Sequence, residues 1–234
     1  MLQPRTYPEL LGKALTFDAD PFIVMVDDDE PWIEGLFMTV LIGILAGGAQ
    51  IIGGWLLTLS MPPSDAVLEA VLRMWRISAG SLNPALLLET EATIRNGWDW
   101  VGFVTGYGGG WGRLMLLITT PLLLLLQWAT YGFVGHGIAR MLGGQGALNR
   151  TLGAAGLIVA PQVLVLVKII PFVSLSNVLL IVWSTLIAYR ALEVAHELPW
   201  RRAIIAAVVP PIFFLLIVGG LVSVIATTLI FRSV

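Results

Sequence analysis

Between Arg113 and Arg140 the chain reads LMLLITTPLLLLLQWATYGFVGHGIA, Leu114 to Ala139, with no charged residue in it. About 20 mostly apolar residues suffice to cross a bilayer as a helix. In hydrocarbon a helix also satisfies its own backbone donors and acceptors. The stretch therefore predicts a membrane span. Four more windows of the same character lie on either side of it. They are 35–59, 151–167 between Arg150 and Lys168, 171–189 ahead of Arg190, and the run from Ala203 to Phe231 between Arg202 and Arg232. In the last, the crossing is placed at 208–231, because Pro210-Pro211 either kink the helix or begin it. The third and fourth windows are joined by a short turn around Pro171, which makes them a helical hairpin. Lys168 near its tip can snorkel to the interface. The expected fold class is an all-α integral membrane protein, a bundle of five transmembrane helices with short amphipathic interfacial helices.

Composition points the same way. Of 234 residues, 57% are hydrophobic and 12% charged, and mean hydropathy is +0.89. Soluble domains carry about 25% charged residues, so a soluble globular chain is excluded, and disorder needs the opposite balance. Residues 1–34 hold eight acids and two bases, Arg5 and Lys13, whereas the rest holds seven acids and eleven bases. No basic patch calls for nucleic acid.

The acidic segment 1–34 does not read as a signal peptide, which needs an apolar core behind a basic start. Thr6 with Glu9 three residues on reads as a capping box, followed by Leu10, Leu11, Ala14 and Leu15 on one helical face. Asp20-Pro21 can cap a second short turn carrying Phe22, Ile23, Met25 and Val26. Both are expected to lie on the membrane or on the bundle. Residues 61–113 form a long extramembrane or interfacial connection. It starts with an amphipathic helix running from Pro62-Pro63-Ser64-Asp65 to about Ile77, with Leu68, Val71, Leu72 and Trp75 on one face. Residues 77–88 are apolar but too short to span, and a re-entrant segment there is open. Trp98, Trp100, Tyr107 and Trp111 look like an interfacial aromatic belt.

Candidate chemistry is sparse. With no Cys, thiolate catalysis, disulfides and iron–sulfur ligation are out, and two histidines sixty residues apart argue against an ordinary zinc site. The run Asp27-Asp28-Asp29-Glu30 lacks the spacing and turn glycine of an EF-hand. Tyr107 to Gly112 lacks the Lys-Ser/Thr of a phosphate loop. His136 is the one candidate ligand for a haem or chlorophyll-type metal, but it sits just inside Arg140, where water or a carbonyl can satisfy it. His196, in ALEVAHELPWRR (191–202), reads as a solvated or loop-capping residue. The windows hold Gln50, Gln127, Gln162 and Asn177 but no Asp or Glu, against expectation for a pump. Catalytic residues, metal and cofactor are expected to be none. Small residues at Gly43 and Gly47, at Gly153, Gly156 and Ala160, and at Gly219, Ser223 and Thr227 are spaced for close helix packing.

Three stretches carry a resemblance: HGIARMLGGQGALNRTLGAAGLIVAPQVL (His136–Leu164), VWSTLIAYRALEVAHELPWRRAIIAAVVPP (Val182–Pro211) and the opening TYPELLGKALTFDADPF. The chain resembles the Yip-one-domain family, named for a yeast Rab-GTPase-interacting membrane protein, and its opening looks like that of bacterial members. The resemblance rests on Gly143-Gly144 with Gly146 in a loop after the second span, Pro161 in the third, and His196 before Arg202-Ala203. It implies five spans and a cytoplasmic N-terminus. Eukaryotic members act in vesicle traffic and bind prenylated Rab proteins, which does not carry over to a bacterial-type chain. The Gly143-Gly144 pair is expected to end a helix on a residue at positive φ, with Gly146 permitting the next turn and Asn149 or Thr151 capping the next helix.

The expected function is a non-enzymatic, multi-pass protein of the cell membrane, working through protein–protein or lipid interaction. Its partners are the lipid bilayer and other membrane proteins, as a complex or homo-oligomer. Alternatives are an accessory subunit of a respiratory or photosynthetic complex, and a small-solute transporter or channel. In the short loops five Lys/Arg after the second and fourth spans (Arg140, Arg150, Arg190, Arg201, Arg202) stand against Lys168 and Arg232; adding Arg5 and Lys13 to the first group and Arg73, Arg76, Arg95 and Arg113 of the long connection to the second makes seven against six. By the positive-inside rule for short loops, the first of these counts puts the N-terminus in the cytoplasm.

Overall fold

A computed structural model describes residues 4–80, 83–107 and 111–232. The described residues are helical, with no strand. In chain order the helices are α1 (Tyr7–Leu15), α2 (Asp20–Val26), α3 (Pro31–Leu59), α4 (Ser64–Ser78), α5 (Pro84–Thr105), α6 (Leu116–Thr130), α7 (His136–Met141), α8 (Leu148–Ala155), α9 (Asn177–His196) and α10 (Trp200–Arg232). A π turn, Tyr131–Gly135, joins α6 to α7, and a 3-10 run, Gly156–Ile169, continues α8. Five stretches are long and apolar enough to cross a membrane: Pro31–Leu59, Trp111–Met141, Leu148–Ile169, Asn177–His196 and Trp200–Val224. The protein is thus an all-α membrane protein of five spans.

The helices outrun the charge-free windows where an end is satisfied locally. α3 starts at Pro31, a residue suited to a first helical turn because it has no N–H to satisfy, and so it takes in Glu34. That carboxylate is 3% exposed and accepts a 2.6 Å hydrogen bond from the Tyr7 hydroxyl. Glu34 thus lies in the first turn of this helix, just ahead of the charge-free window that begins at Gly35. α10 runs unbroken through Pro210-Pro211 from Trp200, so the prolines neither begin this helix nor end it. The third span changes type at Gly156. The run that follows, GLIVAPQVLVLVKI, contains Pro161, which cannot donate a helical bond. A 3-10 helix rises about 2 Å per residue, so this short span reaches further than an α-helix of equal length.

Contacts divide the chain into two compact units, residues 1–45, 120–164 and 175–234 in the first, and 46–119 and 165–174 in the second. The first holds the main core. Tyr7, Leu10, Leu11, Ala14, Phe22, Met25 and Val26 are all buried in it. The amphipathic pieces α1 and α2 thus lie on the bundle. The Trp183 indole donates to the Leu15 carbonyl at 3.2 Å, and Arg190 Nε donates to the Phe17 carbonyl at 3.1 Å. No capping box forms. A 3-10 turn over Pro4–Thr6 precedes α1, Thr6 is already helical at φ −85°, and its side chain makes no cap bond. Spans meet at glycine. A Cβ on Gly156 would collide with the Gly35 Cα, one on Gly153 with Pro31, and one on Gly43 would stand 2.6 Å from the Pro121 Cα.

In the second unit α4 and α5 pair through Arg76–Glu91 at 2.6 Å and Arg95–Glu69 at 3.2 Å. The Arg76 hydrogen bond holds the Glu91 carboxyl below its ordinary range. Residues 77–88 fall at the junction of these two helices, with 81–82 outside the described residues. Within the expected aromatic belt, Trp100 and Trp111 are exposed. Trp98 and Tyr107 are pinned instead, to the Ser64 hydroxyl at 3.0 Å and the Pro62 carbonyl at 2.5 Å. Residues 108–110 of the glycine run lie outside the described residues.

Candidate functional site: a histidine pair beneath the glycine loop

The π turn at Tyr131–Gly135 opens directly onto His136. Such a turn adds a residue to the helical repeat and is frequent at functional sites, and it re-phases the side chains that follow it. The His136 Nδ1 lies 3.0 Å from the Thr151 hydroxyl. On the other side of that hydroxyl, at 2.9 Å, is the Nε2 of His196. The two imidazole centroids are 4.9 Å apart. Thr151 also bonds the Ala147 carbonyl at 3.1 Å. With its one proton on that carbonyl, its oxygen accepts from both rings. The network closes when His136 carries its proton on Nδ1 and His196 on Nε2.

His196 is 1% exposed, so the solvated reading of it is corrected. The turn around it is polar in sequence, but its ring points inward, under the loop that follows α7. Gly143 takes φ +93°, the conformation expected at this helix end. Its N–H donates to the Arg140 carbonyl at 3.1 Å, and the Gly144 N–H to the Ala139 carbonyl at 2.8 Å. A Cβ on Gly144 would stand 2.7 Å from the His196 Nδ1, and one on Gly146 would strike the Ala195 carbonyl. The Gln145 N–H donates to the His196 carbonyl at 3.3 Å, and Arg202 reaches over to the Leu142 carbonyl at 2.9 Å. Gly144 and Gly146 thus leave the space that lets the loop lie on the end of α9. The ring's Nδ1 is left without a partner among the described residues.

Gly143, Gly144 and Gly146 come together with both histidines, while Pro161 lies apart in the 3-10 run. Neither Asn149 nor Thr151 caps α8. The N-cap is Ala147, at φ −77° and ψ 152°, while the Asn149 side chain accepts from the Trp32 N–H at 3.2 Å. Thr151 was named from the sequence only as a candidate cap, and its place between the two histidines was missed. A hydroxyl at the start of an apolar span was the available signal. No group of three His, Cys, Asp or Glu that could hold a metal occurs among the described residues. On His136, Nδ1 is engaged by Thr151, which leaves Nε2 as its only atom for a ligand.

The sequence model of the Yip1 domain matches residues 14–222. The chain belongs to the Yip1 domain family. The match covers both histidines, the glycine loop and Pro161, and takes in all but the tail of the fifth span. Comparison with curated proteins and with solved structures gives no match. For a Yip1-domain chain the described geometry makes the histidine pair a clasp, tying the end of the second span to the start of the third and the end of the fourth.

Proposed function

We propose that this Yip-family membrane protein is non-enzymatic and works by binding another membrane protein through the C-terminal half of α10. One observation supports this reading. α10 is the least covered of the five spans, with 17% of its apolar window buried, and a Cβ at Gly219 or Gly220 would meet nothing within 4 Å. Ser223 and Thr227 continue the same four-residue spacing. Small residues of this kind let a second helix approach closely in lipid, where packing replaces the hydrophobic effect as the driving force. The spaced glycines Gly43, Gly47, Gly153 and Gly156 are instead filled by backbone of this chain, while Gly48 and Gly137 stand open as Gly219 and Gly220 do.

The protein is placed in the cell membrane with its N-terminus cytoplasmic, on the strength of the arginines in the short loops. Mild-detergent purification with identification of what co-elutes tests the binding role. Gly219→Leu with Gly220→Leu is expected to abolish co-elution and leave the melting temperature unchanged. Co-elution that survives the double substitution overturns the α10 interface. A partner set drawn from one respiratory or photosynthetic assembly assigns the chain as its accessory subunit. Turnover by the purified chain that is lost in His136→Ala or His196→Ala overturns the non-enzymatic reading.

A further inference from the structure

We propose that the second unit carries a binding site for the phosphate headgroup of an anionic phospholipid, built on Arg113 and Lys168. A cavity of about 490 Å³ opens there, within the range of about 300–1,000 Å³ common to ligand sites. Arg113 and Lys168 line it together with Gln50, and Leu57, Leu116 and Phe172 supply apolar wall. The end of the first span, the start of the second and the end of the third all contribute. By chain connectivity these three ends share one membrane face, the depth at which a headgroup sits.

Arg113 is 7% exposed. Its Nε donates to the Thr105 carbonyl at 2.7 Å and its Nη1 to the Thr58 hydroxyl at 3.0 Å. A guanidinium has five N–H donors, so three remain. No carboxylate among the described residues pairs with it, and none pairs with Lys168. Glycine makes room for the cation. A Cβ on Gly54 would stand 2.8 Å from the Arg113 Nε, and one on Gly106, at φ +68°, 3.0 Å from it. A Cβ on Gly53 would collide with the Lys168 carbonyl. The structure thus gives up side chains at two positions, Gly54 and Gly106, to bury a guanidinium with only neutral acceptors.

Burying a charge is costly unless an opposite charge meets it, and the fork of an Arg matches a phosphate. A lysine on the same wall adds a second positive charge, and the apolar wall beside the cations suits an acyl chain. A single amphiphile satisfies all three features. Lipid binding here is independent of any protein partner.

The test uses the full chain, purified in mild detergent and stripped of lipid, with the melting temperature followed on titration with phosphatidylglycerol, phosphatidylcholine or inorganic phosphate. Phosphatidylglycerol is expected to stabilise the protein at far lower concentration than phosphatidylcholine does, and inorganic phosphate to have no effect. Lys168→Gln should weaken the phosphatidylglycerol response about tenfold, the scale of one charge-assisted contact, and Lys168→Arg should keep it. Arg113→Gln should do the same where it folds; because Arg113 also ties Thr58 to Thr105, Lys168→Gln carries the test by itself. Arg73→Gln, which removes an exposed charge on α4, should leave the response intact. Equal responses to the two lipids, or an unchanged response in Lys168→Gln, overturn the site. A full response to inorganic phosphate overturns the lipid assignment in favour of a soluble anion.

Discussion

Gly143 and Gly144 do different jobs, and the difference is testable. Gly143 is needed for its backbone: at φ +93° a side chain costs about 1–2 kcal/mol. Gly144 is needed for space, because any Cβ there presses on the His196 ring. Gly143→Val with Gly144→Val should therefore lower the melting temperature by more than either change alone, and a wild-type melting curve would refute the loop geometry. Thr151→Val removes the shared partner of both histidines and should cost about 1–3 kcal/mol for each buried N–H left unpaired. Tyr7 gives a pH test. Burial first, and then its bond to the Glu34 carboxylate, push the Tyr7 phenol above its ordinary value. A folded value raised above the unfolded one means that its contribution is complete below about pH 10 and is lost as the pH rises beyond that. The alkaline decline in stability should be steeper in the wild type than in Tyr7→Phe, and identical slopes would show that the bond does not matter.

At the scale of elements, the spans are held by contacts that only glycine permits. α3 and the third span touch where Gly35 faces Gly156 and Pro31 faces Gly153. Beside this crossing the Trp128 indole of α6 donates to the Leu152 carbonyl at 2.9 Å, which ties the third span to the second. Gly156→Leu should destabilise by about 2 kcal/mol or more, because its side chain meets the α3 backbone at Gly35 and the third span cannot retreat without breaking its tie to Trp128. Gly219→Leu on α10, which has open space before it, should be nearly neutral in the isolated protein. A thermal-shift comparison of the two separates packing within the chain from packing against a partner. Equal losses in both would mean that α10 has intramolecular neighbours at Gly219. The spacing of Gly153 and Gly156 and that of Gly219 and Ser223 look alike in sequence, and only the fold shows which is filled.

For the whole molecule, orientation follows from one choice, because five crossings put the two ends on opposite sides. The loop at Gln145 is expected on the cytoplasmic side and the turn at Ser174 on the other. Both positions are exposed, and the chain has no Cys. A single Cys at each can therefore be probed in intact cells with an impermeant maleimide. Ser174→Cys should label from outside and Gln145→Cys should stay protected; the reverse pattern inverts the topology.

The sequence by itself determined that there are five spans and nearly where each lies. Entry into lipid depends on the local sum of apolar side chains, and a helix satisfies its backbone without outside help. The glycine loop and the positive φ at Gly143 were legible for the same reason, since a helix end is a local event. Where a neighbour decides the outcome, the reading failed. Glu34 is buried in the first turn of α3, with the Tyr7 hydroxyl on it. His196, in a polar turn, is buried because Gly144 leaves room for it. The clasp of His136, Thr151 and His196 draws on three spans, and Arg113 and Lys168 share a cavity across 55 positions of chain. Such meetings have no trace in local composition, and only tertiary packing, with glycine admitting one backbone to another, decided them.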